Sequence, residues 1–533
     1  MRRALLPLAL LLAMGLHAAT YRASEPWYNG DEPRHVMTGV FFHDLLLDGA
    51  WSHPIRYATD YYLQYPALAL GIYPPLYHLV EGMVMLPLGS SMSIAKGLIV
   101  LFALLAGVYL FAIARRKRGP EASALACLLL LLAPAVFKLS SYVMLEVPTL
   151  AWSLMFLFHL DRYFELGRRR DLGLAAAAAA ATALTRFSGY YLLPTVAILL
   201  VLRAERRRRM ASPEAIVAVL LVVAVIAPYY ALAAQWIGGL HFQQAMGGSS
   251  TPESSFSFPR SLLDYPASLP KQIGWPLAIA GVVGLLLGIA RRDRSADIPM
   301  ALIAGVYVAF TPLAMRDPRF TIYWIPGFAL LAADVVVAVG RRAGRVAAGG
   351  LAMLLIAATA TAAWLEPRPI LRGYEAAARF VADHTKRSRY CLFDGTLNGN
   401  FIYQIRRADP GRRIQVLRGD RILYSVSIVP ELGYADPLTS PDSMLAEIHR
   451  YDPDWIVVED PPVFFRTPAG DRLRGVLRGA HNQYRLAAEF PITGDVPQAR
   501  GVKLLAYESL VRNPAPAPRI EIRLPALRRT LRE

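Results

Sequence analysis

Apolar runs close to twenty residues long recur along the first two thirds of the chain, separated by short polar breaks. At 1.5 Å per residue, such a run crosses the roughly 30 Å hydrocarbon core of a bilayer as a helix. The pattern predicts about eleven transmembrane helices, near 4–20, 93–114, 121–137, 147–164, 171–185, 187–202, 213–235, 272–290, 297–314, 321–340 and 346–364. The stretch 75–89 is also apolar, but it is short and carries His78 and Glu81. Those groups cost too much in lipid, so it reads as an interfacial or re-entrant helix. From residue 365 the period changes: helical patterns at 373–384 and 443–451 alternate with strand patterns at 389–395, 454–460, 483–490 and 502–510. The chain therefore divides into a polytopic helical part, 1–364, and an α/β domain, 365–533. The proline- and arginine-rich end of that domain, from Asn513, reads as poorly ordered.

Charge orients this pattern. The 533 residues carry a net charge of +17, yet only 18% are charged and 55% are hydrophobic. The arginines sit in short clusters between apolar runs, at Arg115–Arg118 (with Lys117), Arg168–Arg170, Arg206–Arg209, Arg291–Arg292 and Arg341–Arg342. That is the signature of cytoplasmic loops, not the continuous basic face of a nucleic-acid binder. With Arg2 and Arg3 inside, every cluster falls inside. The first external loop is then 21–92, and the α/β domain lies outside. The N-terminus looks like a signal peptide, but Leu16 or His17 occupies the −3 place of any cleavage site, so it reads as a retained helix. Two cysteines, Cys127 in an apolar run and Cys391 in the tail, read as free buried thiols.

Candidate chemistry gathers on the external side. Asp31 and Glu32 follow the first helix, with Arg34 and His35 beside them, and a base placed there stays ionised because it is out of the bilayer. Tyr73–Pro74–Pro75 begins the interfacial stretch, with Pro suited to a first helical turn. Glu146 sits in a very short external loop at a helix start. Arg186 interrupts an apolar pair, and a cation at that depth requires an anion. Arg316, Asp317 and Arg319 share a tight external loop. Each feature alone has an ordinary structural explanation. Together they place carboxylates and cations at one interface, which suits an anionic lipid whose head group reacts there.

On these residues the chain resembles the GT-C glycosyltransferases, in particular the protein O-mannosyltransferase-like branch that includes lipid A aminoarabinose transferases. Asp31–Glu32 matches the acidic pair after the first helix, and Tyr73–Pro74–Pro75 matches a KPP-type turn. Glu146–Val147–Pro148 matches a carboxylate–Pro helix start. Thr185–Arg186 with Gly189 and Arg319–Phe320 with Ile325–Pro326 match two later signatures. The resemblance implies a GT-C fold in a bacterial inner membrane, with the site and the C-terminal α/β domain facing the periplasm. It implies inverting transfer of a sugar from a polyprenyl-phosphate donor to a hydroxyl of an extracytoplasmic acceptor. Asp31 would be the base, with Glu32 and Glu146 orienting the acceptor or tuning it. Arg186, Arg319, Tyr73 and His35 would meet the donor phosphate. Two positions depart from the family: Tyr73 replaces a lysine, and Glu146 replaces an aspartate. A divalent metal could be held by Asp31, Glu146, His35 or His78, although their spacing is not diagnostic. Other readings are a flippase of lipid-linked sugar, against which no inverted repeat is found, and a non-catalytic membrane scaffold.

Overall fold

The computed structural model describes every residue except 1–3, 238–257, 292, 314–315, 428–429, 431–432, 514–520, 525–528 and 533. It is a mostly helical bundle with a sheet domain at its C-terminal end. The helices that frame the site are α1 (Leu5–Ala19), α2 (Glu32–Leu47), α3 (Pro54–Gln64), α4 (Leu76–Leu88), α5 (Met92–Arg115), α6 (Pro120–Leu132), α7 (Pro134–Leu139), α8 (Glu146–Leu166), α9 (Arg169–Ala183) and α10 (Leu192–Leu202).

The expected eleven spans are not all uninterrupted helices. Among the described residues, Met92–Arg115, Pro213–Gln235 and Pro318–Leu365 hold helix long and apolar enough to cross a bilayer, and the other apolar helices are shorter. The span expected at 121–137 breaks at Ala133, because Pro134 has no N–H to continue the ladder, and α6 gives way to α7. The two expected at 321–340 and 346–364 are present as two helical segments within Ile325–Leu365, which meet at Gly344, where a φ of 88° that suits glycine breaks the helix. Of the external loop expected at 236–271, residues 238–257 lie outside the described residues, and Phe258–Ile273 is helical.

Glycines decide which helices touch closely. A Cβ on Gly284 would lie 2.4 Å from the Leu331 carbonyl oxygen, so Trp275–Arg291 packs directly on Ile325–Leu365. The crossing of α2 and α4 depends on the same device. A Cβ on Gly82 would lie 2.7 Å from the His43 amide nitrogen, and one on Gly39 would collide with the Glu81 carboxylate. This crossing holds α2 against α4 and so sets the position of Asp31, which immediately precedes α2.

In the tail a five-stranded sheet runs in the order 415–418, 390–394, 455–460, 503–509, 484–491, the first three strands parallel and the last two antiparallel. The end of the chain, expected to be poorly ordered, pairs Glu521–Leu524 with Arg529–Arg532 as antiparallel strands, with Ile522 buried. One apolar core runs from the bundle into this domain and includes Tyr77, Phe102, Leu397, Phe401 and Trp455. Polar ties reinforce the junction. Asp44 of α2 accepts two hydrogen bonds of 2.8 Å from Arg406, and Gln64 of α3 donates to the Arg412 carbonyl at 2.6 Å. Glu25 caps the helix Tyr374–His384 by accepting from the amides of Gly373, Tyr374 and Glu375. The α/β domain is thus clamped to the first loop. Both cysteines are free and buried.

Candidate active site

Four separate segments converge at one end of the bundle. Asp31 immediately precedes α2, Glu146 opens α8, Arg186 lies in the break between α9 and α10, and Arg319 sits in the short turn Pro318–Trp324. Arg319 Nη1 lies 3.2 Å from Asp31 Oδ2, an ion pair spanning 288 positions of sequence. The same guanidinium places Nε 3.1 Å from Asp317 and 3.7 Å from Glu146. Glu146 is wholly buried, and Arg186 Nη1 reaches it at 2.9 Å. Arg186 is itself flanked by the rings of Tyr73 and Phe320, each 5.9 Å from its guanidinium carbon. Three carboxylates thus surround two guanidiniums.

The two arginines are held differently. Arg186 is spent on Glu146 and two aromatic faces, which fix it in one place. Arg319 is divided among three acids and forms a bidentate fork with none of them. Asp317, which was not singled out as a site residue, also accepts from the Arg319 amide at 2.9 Å and so shapes the turn that presents that arginine. Its two-residue spacing from Arg319 was the sequence signal for this role. Tyr73 joins the cluster, and burial, then the Asp31 carboxylate, push its phenol above its ordinary pKa.

Glu32 does not face these groups. Successive residues at a helix start point about 100° apart, and its buried carboxylate accepts from the backbone amides of Trp27 (3.1 Å), Tyr28 (3.3 Å) and Val143 (3.1 Å). It ties the loop carrying Asp31 to the loop carrying Glu146. These three bonds hold the two loops in register.

His35, one turn along α2 from Asp31, is fully buried beside the Tyr73 ring, with centroids 4.7 Å apart. Its Nδ1 meets His78 Nε2 at 3.0 Å. Burial, reinforced by the Arg186 and Arg319 charges, holds His35 well below its ordinary pKa, and burial brings His78 down to about 3. Glu81 is buried, and burial pushes its carboxyl well above the ordinary range. Among the described residues no three His, Cys, Asp or Glu side chains are grouped as metal ligands.

Residues 73–231 match the family model described as dolichyl-phosphate-mannose-protein mannosyltransferase, a stretch that includes Tyr73, Glu146 and Arg186. No curated protein matches the chain. Among solved structures the chain is similar to ArnT from Cupriavidus metallidurans in the apo state, with a TM-score of 0.62, 14% identity, and 94% of this chain and 97% of that one covered. It is also similar to the same protein bound to undecaprenyl phosphate, with a TM-score of 0.61, 14% identity, and 96% and 98% covered. A third likeness is to the oligosaccharyltransferase AglB from Archaeoglobus fulgidus in complex with an inhibitory peptide and a dolichol-phosphate. Its TM-score is 0.51 at 12% identity, with 86% and 69% covered. At these identities the structural likeness is one of fold.

Proposed function

Taking as premise a GT-C glycosyltransferase of the ArnT and protein mannosyltransferase branch, which the family match and the shared fold together support, we propose that the chain transfers a sugar from a polyprenyl-phosphate donor to a hydroxyl of an extracytoplasmic acceptor, with inversion. The observation that carries this reading is the Asp31–Arg319 contact, which sets a carboxylate against a guanidinium not committed to any one acid.

In this reading the donor phosphate enters beside Arg319. A phosphate is a better partner for a planar fork than three single contacts are, so Arg319 turns to it and releases Asp31. Asp31 then takes the proton of the acceptor hydroxyl. The acceptor oxygen bonds to the anomeric carbon as the bond from that carbon to the phosphate oxygen breaks, and the lipid leaves as its monophosphate. Arg319 stabilises the charge that develops on the leaving oxygen. Glu146 and Arg186 hold the arginine's surroundings, and Tyr73 supplies a hydroxyl where the family has a lysine.

The reading includes the topology drawn from charge: eleven passes, the N-terminus inside, and the site and the α/β domain facing the periplasm of a bacterial inner membrane. Turnover of a radiolabelled undecaprenyl-phosphoryl hexose in proteoliposomes tests the chemistry. Release of undecaprenyl phosphate with an inverted product is the expected result, whereas translocation without bond cleavage would make the chain a flippase. An impermeant thiol reagent on intact cells tests the sidedness. It should reach a cysteine placed in the α/β domain and miss Arg207→Cys; labelling of Arg207→Cys would overturn the orientation.

A further inference from the structure

We propose that the protein binds the phosphate of an anionic phospholipid in a cavity lined by Arg291, Arg341 and Arg342, at the end of the bundle opposite Asp31. The chemistry of this cavity is separate from sugar transfer and stands whether or not that reading holds.

The cavity follows from how two helices pack. Trp275–Arg291 carries Gly281, Gly284 and Gly288 at intervals of three and four, which is one face of a helix. A Cβ on Gly281 would meet Phe328 at 2.9 Å, and one on Gly284 would meet Leu331. The two helices therefore run side by side in the same direction, nearly in backbone contact. The next position on the glycine face is Arg291, and the Phe328–Leu331 face continues to Ala338 and Arg342. Small residues give way to long ones there, and the pair opens into a cavity of about 480 Å³ lined by Arg291, Asp293, Ala338, Arg341 and Arg342. Small-ligand pockets are of that size, about 300–1,000 Å³. The helix from Ile325 to Arg341 rises about 24 Å, so the cavity lies far from the turn that carries Arg319.

Close packing thus gathers like charges, and the chain supplies no answer to them. Among the described residues, the side chains of Arg291, Arg341 and Arg342 have no ion pair or hydrogen bond. Asp293, the acid in the described lining, turns its carboxylate to Ser295, accepting from its amide at 3.1 Å and its hydroxyl at 2.8 Å. Nearby arginines are answered: Arg118 forks Asp334 at 2.7 and 2.6 Å, and Arg294 reaches Glu205 at 3.1 Å. Positive loops are ordinary in a membrane protein, but they do not explain three unanswered guanidiniums around one cavity. Phosphate is the complementary group, because its oxygens take a guanidinium fork. The surface beside the cavity makes it a lipid phosphate. Ile279, Val282, Leu286 and Ile289 form one exposed apolar stripe along Trp275–Arg291, ending two residues before Arg291. An acyl chain lies along that stripe while its head group reaches the arginines, as in basic lipid pockets between membrane helices. A free phosphate would leave the stripe unused.

Lipid titration of the full-length protein in a non-ionic detergent, followed by native mass spectrometry, tests the site. The probes are phosphatidylglycerol, phosphatidylcholine with the same chains, and inorganic phosphate. Phosphatidylcholine would set its own cation among the arginines, and each arginine near an anionic head group is worth about fivefold. Wild type should therefore prefer phosphatidylglycerol by about tenfold or more; equal affinity for the two lipids overturns the proposal. Arg291→Gln combined with Arg342→Gln should lose most of that preference, and lysine at both positions should keep part of it. A preference undiminished in the glutamine variant overturns the site. Arg208 is an exposed arginine outside the cavity lining, and Arg208→Gln should leave the preference intact. A loss there as large as in the double variant would make the preference one of overall charge and overturn the site. Inorganic phosphate should displace phosphatidylglycerol only in large excess, because it has no chains; displacement at the lipid's own concentration would make this a free-phosphate site and overturn the lipid. Without lipid, the double glutamine variant should melt no lower than wild type, since it loses only repulsion. A lower melting temperature would mean that the arginines serve the fold, and would overturn the proposal.

Discussion

Two ionic clusters sit at opposite ends of the helical bundle, and they are built to different rules. At the end with the basic clusters, Arg203 forks Asp297 with two hydrogen bonds of 2.9 Å, and Arg206 adds a third contact to the same carboxylate at 2.9 Å. Asp161, nearly buried, is met by Arg116 at 3.2 Å and Lys117 at 3.7 Å. Cations outnumber acids there, and the principal arginine forks a single carboxylate with both of its bonds to Asp297. At the Asp31 end acids outnumber cations, and Arg319 touches three carboxylates without forking any of them. The first arrangement is a fastener, in which exchange would leave a buried charge stranded. The second is a cation between partners, which an incoming anion can recruit while Glu146 keeps Arg186 and Asp31 is set free as a carboxylate.

The sharpest way to break this comparison is at its carboxylate. Asp31→Asn should lower transfer about two to four orders of magnitude, the usual cost of losing a positioned base. Expression and undecaprenyl phosphate binding should persist, and turnover near wild type in the purified variant would remove Asp31 from the chemistry. Next comes Asp297→Asn, which should cost about 3–5 kcal/mol of stability, because Arg203 and Arg206 lose a buried partner. Thermal unfolding in detergent should show the loss while KM stays put; a changed KM would erase the distinction between the two ends. Arg319→Gln should weaken undecaprenyl phosphate binding by about 1.5–3 kcal/mol, the worth of a hydrogen bond to a charged group. Arg319→Lys should recover only part of it, since a point charge lacks the fork; unchanged affinity in Arg319→Gln would make this arginine a second fastener.

The smallest effect concerns acid. His78 is held near pKa 3 by burial, against an ordinary 6.5. The unfolded chain therefore binds a proton that the folded chain refuses between those values, and stability present above pH 6.5 is lost as pH falls toward 3. The melting temperature should fall over that window, and His78→Gln should flatten the fall; an equal slope in both proteins would place the acid sensitivity elsewhere.

Much of the site was legible in the sequence because its members are expensive. A charge flanked by apolar runs needs a partner, and Arg186, Arg319 and Glu146 announced themselves in that way. Other features depend on geometry that adjacency conceals. Asp31 and Glu32 are neighbours in sequence, yet one helical step sends their carboxylates to different tasks. The His35–His78 contact bridges 43 positions and exists only because Gly39 and Gly82 let two helices cross closely. The span at 121–137 was harder to read, because hydropathy averages over Pro134 and cannot see a helix stop, whereas the break at Gly344 fell between two spans read as separate. The end of the tail looked disordered because its prolines hid two short paired segments.

The clamp between α2 and the α/β domain also sets a schedule for making the protein. Asp44 leaves the ribosome 362 residues before Arg406, the arginine that pairs with it. At about 5–20 residues per second, that is roughly 20–70 s of elongation. Throughout that interval the loop bearing Asp31 exists without the domain that braces it. A chain cut short between its bundle and its tail would therefore carry Asp31, Glu146, Arg186 and Arg319 and still lack the domain that braces the first of them. Maturation waits for the last domain, and only complete copies reach working order.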